Sequence, residues 1–424
     1  MAPIPLSLLP DSAEISPAGR LAIGGCDVLE LAADFGTPLF VYDEGHLRGR
    51  AREALAAFGA GRVVYATKAF LCLAMARLAH EEGLLLDVAT GGEMHVALAA
   101  GVPADRLVVH GNNKSLEELA GALAAGVHHL VVDSFDELDR LDLLHAEGLP
   151  VPRVQLRITP GIEAHTHEYV RTGQADSKFG FGLADGVADA AVVRAVASRS
   201  VELVGLHAHI GSQIFAAESF ALAAEVMAAL TERYGLPALT LGGGLGVAYV
   251  EGESAPTISE WGKVVREALD RAGFAGQLYV EPGRALVAGA AVTLYTVGTV
   301  KDVPGIRTYV AVDGGMSDNP RPVLYGSGYE AFLPRATTSE RRRPVRIVGK
   351  HCESGDVLVY EAFVPEDLEV GDVLCTPVTG AYGHSMGSNY NKVPRPAVVF
   401  VSDGDARVVV RRETYHDLTR LDVL

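Results

Sequence analysis

Eight short apolar runs, each followed by a helix-like stretch, recur along the middle of this chain. They are "VVYAT" (63–67), "LLLDVA" (84–89), "RLVVHG" (106–111), "HLVVDS" (129–134), "VQLRIT" (154–159), "ELVGLHAHI" (202–210), "ALTLG" (238–242) and "QLYVE" (277–281). Between them lie segments such as "LCLAMARLAHEEG" and "SLEELAGALAAG", with apolar residues every three or four positions and a glycine near the end. Near-continuous apolar strands alternating with amphipathic helices imply a parallel sheet covered by helices. Eight such units predict an α/β fold, a closed (β/α)8 barrel of the TIM type, over residues 40–288. A doubly wound open sheet is the alternative this pattern leaves standing. After residue 290 the texture changes. "AVTLYTVGTVKDV", "RTYVAVDGG", "VRIVGK", "DVLVYEAF" and "AVVFVSDGDARVVVRRETY" are β-rich with Gly and Asp turns. Residues 289–424 are therefore expected to form a mainly β domain, a barrel or sandwich, joined by residues 1–39.

A chain of 424 residues with 49% hydrophobic and 21% charged residues has the makings of an ordinary globular protein with a large core. Its formal charge of −17 argues against a nucleic-acid or anionic-membrane partner, but says little about any one cleft. Cys26, Cys72, Cys352 and Cys375 are widely spaced and form no CxxC pair, against a disulfide scaffold or structural zinc. "MAPIPLSLLPDSAE" lacks a basic n-region, and prolines break its apolar run. The expectation is no signal peptide, no transmembrane span and a reducing cytoplasm.

A barrel of this kind builds its site at the C-terminal strand ends. There the first run ends in Lys68, the sixth in "HAHIGSQ", the seventh in "GGGLG" and the eighth in "EPGR". A lysine ending a buried strand is either a surface cap or an amine held for covalent work with a carbonyl. "GGGLG" is either a plain loop or backbone brought close to a phosphate, which such barrels often bind after strands seven and eight; it lacks the Rossmann spacing. His207 and His209, two apart, share one face if the strand continues. No acidic or cysteine cluster completes a metal set with them, and "EAHTHEY" lies in a separate loop. One of the pair suits stacking on a flat cofactor, the other a satisfied core position. Glu281, if buried, could hold a proton on a heterocyclic nitrogen. An amine, phosphate-binding glycines, a stacking ring and a carboxylate together suit pyridoxal 5'-phosphate.

The motifs "YATKAF", "HGNNKS", "HAHIGSQ", "LGGGLG", "VEPGRALVA", "DGGMSDNPRPVLYG", "CESGD" and "GAYGHSMGSNYN" span nearly the whole chain. Together they resemble the bacterial diaminopimelate decarboxylase family, in the alanine-racemase-like fold group of pyridoxal-phosphate enzymes. The resemblance implies a (β/α)8 barrel plus a β domain, and decarboxylation of meso-2,6-diaminopimelate to L-lysine and carbon dioxide, the last step of lysine biosynthesis. It implies that Lys68 forms the Schiff base, His209 stacks on the ring, and Glu281 faces the pyridine nitrogen. Ser212, Gly244 and the backbone of Pro282, Gly283 and Arg284 would bind the phosphate region. It further implies a homodimer with shared sites, in which Cys352 enters from the partner as proton donor. Arg284, Arg321, Tyr325, Glu353 and Tyr382 would recognise the substrate, Tyr382 also reaching the cofactor. His384 stands where the family more often carries an aromatic residue.

These roles suit the chemistry. Arginine binds carboxylates bidentately, Glu353 can take an ammonium, and a thiol with an ordinary pKa of ~8.5 is a plausible acid. On the residues alone, the plainer readings are favoured: Arg321 as a loop arginine and Cys352 as a small buried hydrophobe. Competing functions are a decarboxylase of ornithine, arginine or a D-amino acid, a racemase, a non-catalytic pyridoxal-phosphate-binding protein, and a metal-dependent hydrolase. Glu353 beside Cys352, with Arg321, favours a distal amino-acid head over a diamine-forming substrate. Glu281 favours carbanion formation, where racemases place an arginine. Lys68 and Cys352 are both present, against a non-catalytic relative, and a hydrolase would need a ligand cluster not seen here.

Overall fold

The computed structural model describes residues 2–161, 177–184 and 186–424, so the "EAHTHEY" segment lies outside the described residues. Two compact units emerge: Arg50–Gly246 with Ala255–Ala285, and Met1–Gly49 with Val247–Ser254 and Leu286–Leu424.

The first unit is the barrel. Strands β1 (Val64–Ala66), β2 (Leu85–Val88), β3 (Leu107–Val109), β4 (His129–Val132), β5 (Arg153–Thr159), β6 (Glu202–His207), β7 (Ala238–Thr240) and β8 (Gln277–Tyr279) pair in parallel in chain order. These are the eight apolar runs. The ring closes between β8 and β1 through a parallel bridge from Val63 to Val280, and Val64 N–H donates to Val280 O at 2.8 Å. Closure decides against the doubly wound open sheet. Helix Leu116–Ala125 starts at Ser115 with a reciprocal capping box to Glu118 and ends on left-handed Gly126, as "SLEELAGALAAG" predicts.

Period-two alternation stacks the interior. Val64, Leu85, Val108, Val131, Ala238 and Tyr279 come from six strands and meet in one buried cluster. Two residues further along the same strands lie Ala66, Asp87, His110, Asp133, Thr240 and Glu281. An apolar floor thus supports a layer rich in polar side chains towards the C-terminal ends. Below the "HGNNKS" loop the Lys114 amine is buried, 2.7 Å from a Glu137 oxygen, and it donates to the carbonyls of Gly111 and Val131. That anchors the turn beyond His110.

The second unit is mainly β. Its largest sheet runs Val357–Val364, Arg343–Val348, Arg307–Val312, Ala291–Val303, Leu39–Asp43, Ala397–Ser402, Asp405–Val410, with Val373–Pro377 also paired to Ala291–Val303. Leu39–Asp43 therefore belongs to this sheet, and the unit extends to Gly49 rather than ending at residue 39. An apolar strand before a helix looks the same in either setting; pairing with Ala291–Leu294 and Ala397–Val401 decides it. A small sheet of Glu14–Ile15, Leu21–Ile23 and Cys26–Asp27 completes the N-terminal contribution.

Candidate active site at the barrel strand ends

Glu281 follows β8 and is buried, and two imidazoles approach its carboxylate separately. His207 Nε2, at the end of β6, lies 2.9 Å from Oε2; His110 Nε2, just after β3, lies 3.0 Å from Oε1. The two rings meet edge to face with centroids 5.1 Å apart. Asp87 at the end of β2 stands 3.8 Å from the same His110 nitrogen. Burial opposes ionisation of Glu281, yet the charges of His207 and His110, with the His207 hydrogen bond, hold its carboxyl well below the ordinary range. Burial pushes the Asp87 carboxyl up, and His110 draws it only part of the way back. Burial likewise opposes charge on His110, but Asp87 and Glu281 together raise its pKa; at His207 burial wins and the pKa falls. Donor atoms of His110, His207 and Glu281 all lie within 4.8 Å of one another. In the structure they contact one another directly.

Lys68 lies in the short turn Thr67–Ala69 directly after β1. Its neighbours Thr67 and Ala69 are buried, while the lysine itself is exposed. Its charge is felt at Asp87, at Glu93 and at His209. β1 and β8 share the closing seam, so Lys68 and Glu281 end adjacent strands. His209 does not join His207: its half-buried ring accepts from Gly243 N–H through Nδ1 at 3.3 Å. Burial, helped by the Lys68 charge, drives its pKa well down, so the ring is neutral. Arg284 Nη2 donates to Ser212 Oγ at 3.0 Å, which brings the strand-six and strand-eight loops together. The glycine loop is a close backbone approach: a Cβ on Gly243 would meet Glu281 O at 2.1 Å, and one on Gly244, at φ +109°, would meet Gly211 O at 2.2 Å. Pro282 and Gly283 are buried beside it.

The remaining predicted residues belong to the β-rich unit. Arg321 opens the short helix Arg321–Tyr325 and is buried. Its guanidinium lies 4.2 Å over the Tyr249 ring and donates to Tyr329 Oη at 2.5 Å. Tyr325, half-buried, ends that helix. Cys352 and Glu353 are exposed, contrary to the small-buried-hydrophobe reading of the cysteine. Cys352 N–H donates to Asn391 Oδ1 at 2.9 Å, tying "CESGD" to "GSNYN". Tyr382 is held at φ +64°, an unusual conformation for a bulky residue. His384 sits edge to face with Phe40 at 6.0 Å, the contact an aromatic residue would make there.

Asp87, His110 and Arg157 carry no role in the sequence reading, although each lies in or beside one of the eight runs. Arg157, buried in β5, reaches Asp133 at 3.5 Å and stacks 4.3 Å over the Phe179 ring. The available signal was a polar residue near the C-terminal end of an otherwise apolar strand.

Comparison with known proteins agrees with this geometry. The family described as pyridoxal-dependent decarboxylase, pyridoxal binding domain, matches residues 44–288. Diaminopimelate decarboxylase of Bacillus subtilis is 49% identical, covering 96% of this chain and 95% of that protein. That of Mycobacterium tuberculosis is 48% identical, with the same shares covered. Among solved structures, diaminopimelate decarboxylase of M. jannaschii in complex with L-lysine superposes with a TM-score of 0.89 at 33% identity, covering 98% of each chain. With the barrel, the lysine and the buried carboxylate already in place, these matches establish that the chain belongs to the diaminopimelate decarboxylase family of pyridoxal-phosphate-dependent decarboxylases.

Proposed function

We propose that this chain decarboxylates meso-2,6-diaminopimelate to L-lysine and carbon dioxide, as the last step of lysine biosynthesis, and works as a cytoplasmic homodimer with shared sites. The observation that carries the reading is the buried Glu281, kept ionised by two imidazoles, on the strand next to the one that ends in Lys68. The substrate is that of the relatives' printed activity.

The residues present fit pyridoxal phosphate. Lys68 offers an exposed amine for its aldehyde carbon, and Glu281 offers carboxylate oxygens for its ring nitrogen. The neutral, half-buried His209 ring suits stacking on a flat face rather than adding charge. Ser212, Gly244 and the backbone of Pro282, Gly283 and Arg284 would hold the phosphate, with the Arg284–Ser212 contact bringing the two loops together. When bound, the cofactor supplies an electron sink for the bond that releases carbon dioxide. Glu281 would hold the proton at the ring nitrogen. Cys352 of the partner subunit would deliver the proton that replaces the lost carboxylate on the α-carbon. The exposure of Cys352 on its own chain is what service to a second copy requires. Arg321 would take the distal carboxylate and Glu353 the distal ammonium, with Arg284, Tyr325 and Tyr382 completing recognition and Tyr382 reaching the cofactor.

The test combines a spectrum with a substrate panel. Purified with pyridoxal phosphate, the protein should show a protein-bound cofactor absorbance band that Lys68→Ala abolishes. Carbon dioxide should be released from meso-diaminopimelate, and not from L-ornithine, L-arginine or D-lysine. Release from one of the other three instead would move the substrate. Absence of the band would end the residue assignments.

A further inference from the structure

Glu281 has a surrounding that its role as a simple counter-charge would not need. An ionised carboxylate only accepts hydrogen bonds, so both Nε2 atoms facing it carry hydrogens. His207 meets one oxygen at 2.9 Å and His110 the other at 3.0 Å, from the ends of β6 and β3. Each oxygen keeps a further lone pair. An arginine in their place would cover both oxygens with one permanently charged fork. Two separate imidazoles instead meet one carboxylate oxygen each and leave acceptor capacity for a third donor.

We propose that His207 and His110 are positioning residues whose two contacts lower the proton affinity of Glu281, so that a proton shared between Glu281 and the ring nitrogen of pyridoxal phosphate stays on the nitrogen. The inference rests on the reading of Glu281 as the partner of that nitrogen. The argument is one of competing affinities. A buried carboxylate without donors becomes a stronger base than usual and takes the shared proton for itself. The His207 hydrogen bond and the neighbouring His110 charge reverse that order. The other titratable groups that interact with Glu281 are Asp87 from β2, His129 from β4, Arg157 from β5 and His209 just after β6. Asp87, 3.8 Å from the same His110 Nε2, adds its charge to that of Glu281 in favouring the protonated His110 ring. The chain Asp87, His110, Glu281, His207 therefore acts as one buried network spanning four strands.

The experiment uses the holoenzyme loaded with pyridoxal phosphate labelled with 15N in the ring. In the parent the nitrogen resonance should lie in the pyridinium range at pH 7.5 (about neutral operating conditions). His207→Phe, which removes one donor, should shift it towards neutral pyridine and lower kcat about 10-fold or more, with KM changed less than about 3-fold. His207→Gln, whose Nε2–H reaches nearly the same point, should restore most of both. His110→Asn, on the other oxygen, gives an independent reading if His207→Phe does not fold. Glu281→Gln is the control. If it yields neutral pyridine while folded His207→Phe and His110→Asn remain pyridinium, the clamp is wrong and the role of Glu281 stands. If Glu281→Gln itself leaves the nitrogen protonated, the reading of Glu281 fails and the inference falls with it.

Discussion

Lys68 is held where a strand stops being able to bury it. Thr67 is the last buried position of its run, and its hydroxyl is spent on the Asp87 carbonyl at 2.6 Å, so the next side chain emerges at the ring's rim. Its charge acts on the carboxyls of Asp87 and Glu93. His384 shows the opposite adjustment. It is an ionisable ring, and burial holds its pKa down to about 4. A histidine whose folded pKa is depressed contributes stability above its unfolded value near 6.5, and that stability is lost as pH falls from there towards 4. His384→Phe should remove this dependence. Between pH 7 and pH 4 the parent should lose up to roughly 3 kcal/mol relative to the variant in urea unfolding. Parallel pH profiles would show that the ring is not buried as described.

Among the elements, two loops of the β-rich unit depend on one carboxylate. Asp356 accepts from Met316 N–H at 2.6 Å and from His351 N–H at 2.8 Å, while Ser317 N–H donates to His351 Nε2 at 3.2 Å. The "GGMSDN" turn before Arg321 and the "CESGD" turn carrying Cys352 are thereby stapled together. Close packing enforces it: a Cβ on Gly315 or Gly349 would meet the Asp356 carboxylate at 2.6 Å or 2.1 Å. Asp356→Ala would leave the buried His351 N–H and the half-buried Met316 N–H unsatisfied and should cost about 3 kcal/mol, with Asp356→Asn costing less because one acceptor survives. Amide hydrogen exchange at Met316 and His351 should accelerate in the alanine variant. Unchanged exchange there would show that the staple does not hold the turns.

For the molecule as a whole, chain order and spatial order part company. The strand Leu39–Asp43, near the N-terminus, lies inside its sheet between Ala291–Val303 and Ala397–Ser402, while Asp405–Val410 forms an edge. Val41 is fully buried and Val408 is 44% exposed, though both are valines in strands of one sheet. Val41→Ala should destabilise by about 2 kcal/mol and Val408→Ala by no more than about 0.5 kcal/mol. Equal losses in chemical denaturation would contradict the sheet order. Among the described residues no helix is long and apolar enough to cross a membrane.

The sequence by itself determined the eight apolar runs, their order, and which of them end in lysine, histidine, glycine or glutamate. Those are local properties: hydrophobic period and residue chemistry at a strand's end need no partner to be read. It also determined that Lys68 and Glu281 deserve one explanation, through the motifs that surround them. Ring closure, the clamp on Glu281 and the allegiance of Leu39–Asp43 were decided only by the tertiary structure. His110 and His207 are separated by almost a hundred residues, roughly three strand–helix units, and a polar residue ending one strand shows nothing of what faces it across the barrel. One of His207 and His209 is expected at a core position; His207 is the buried one, and its partner is the Glu281 carboxylate. The physical reason is common to all three. Burial and pKa depend on what is packed around a group, and that is set by contacts distant in the chain.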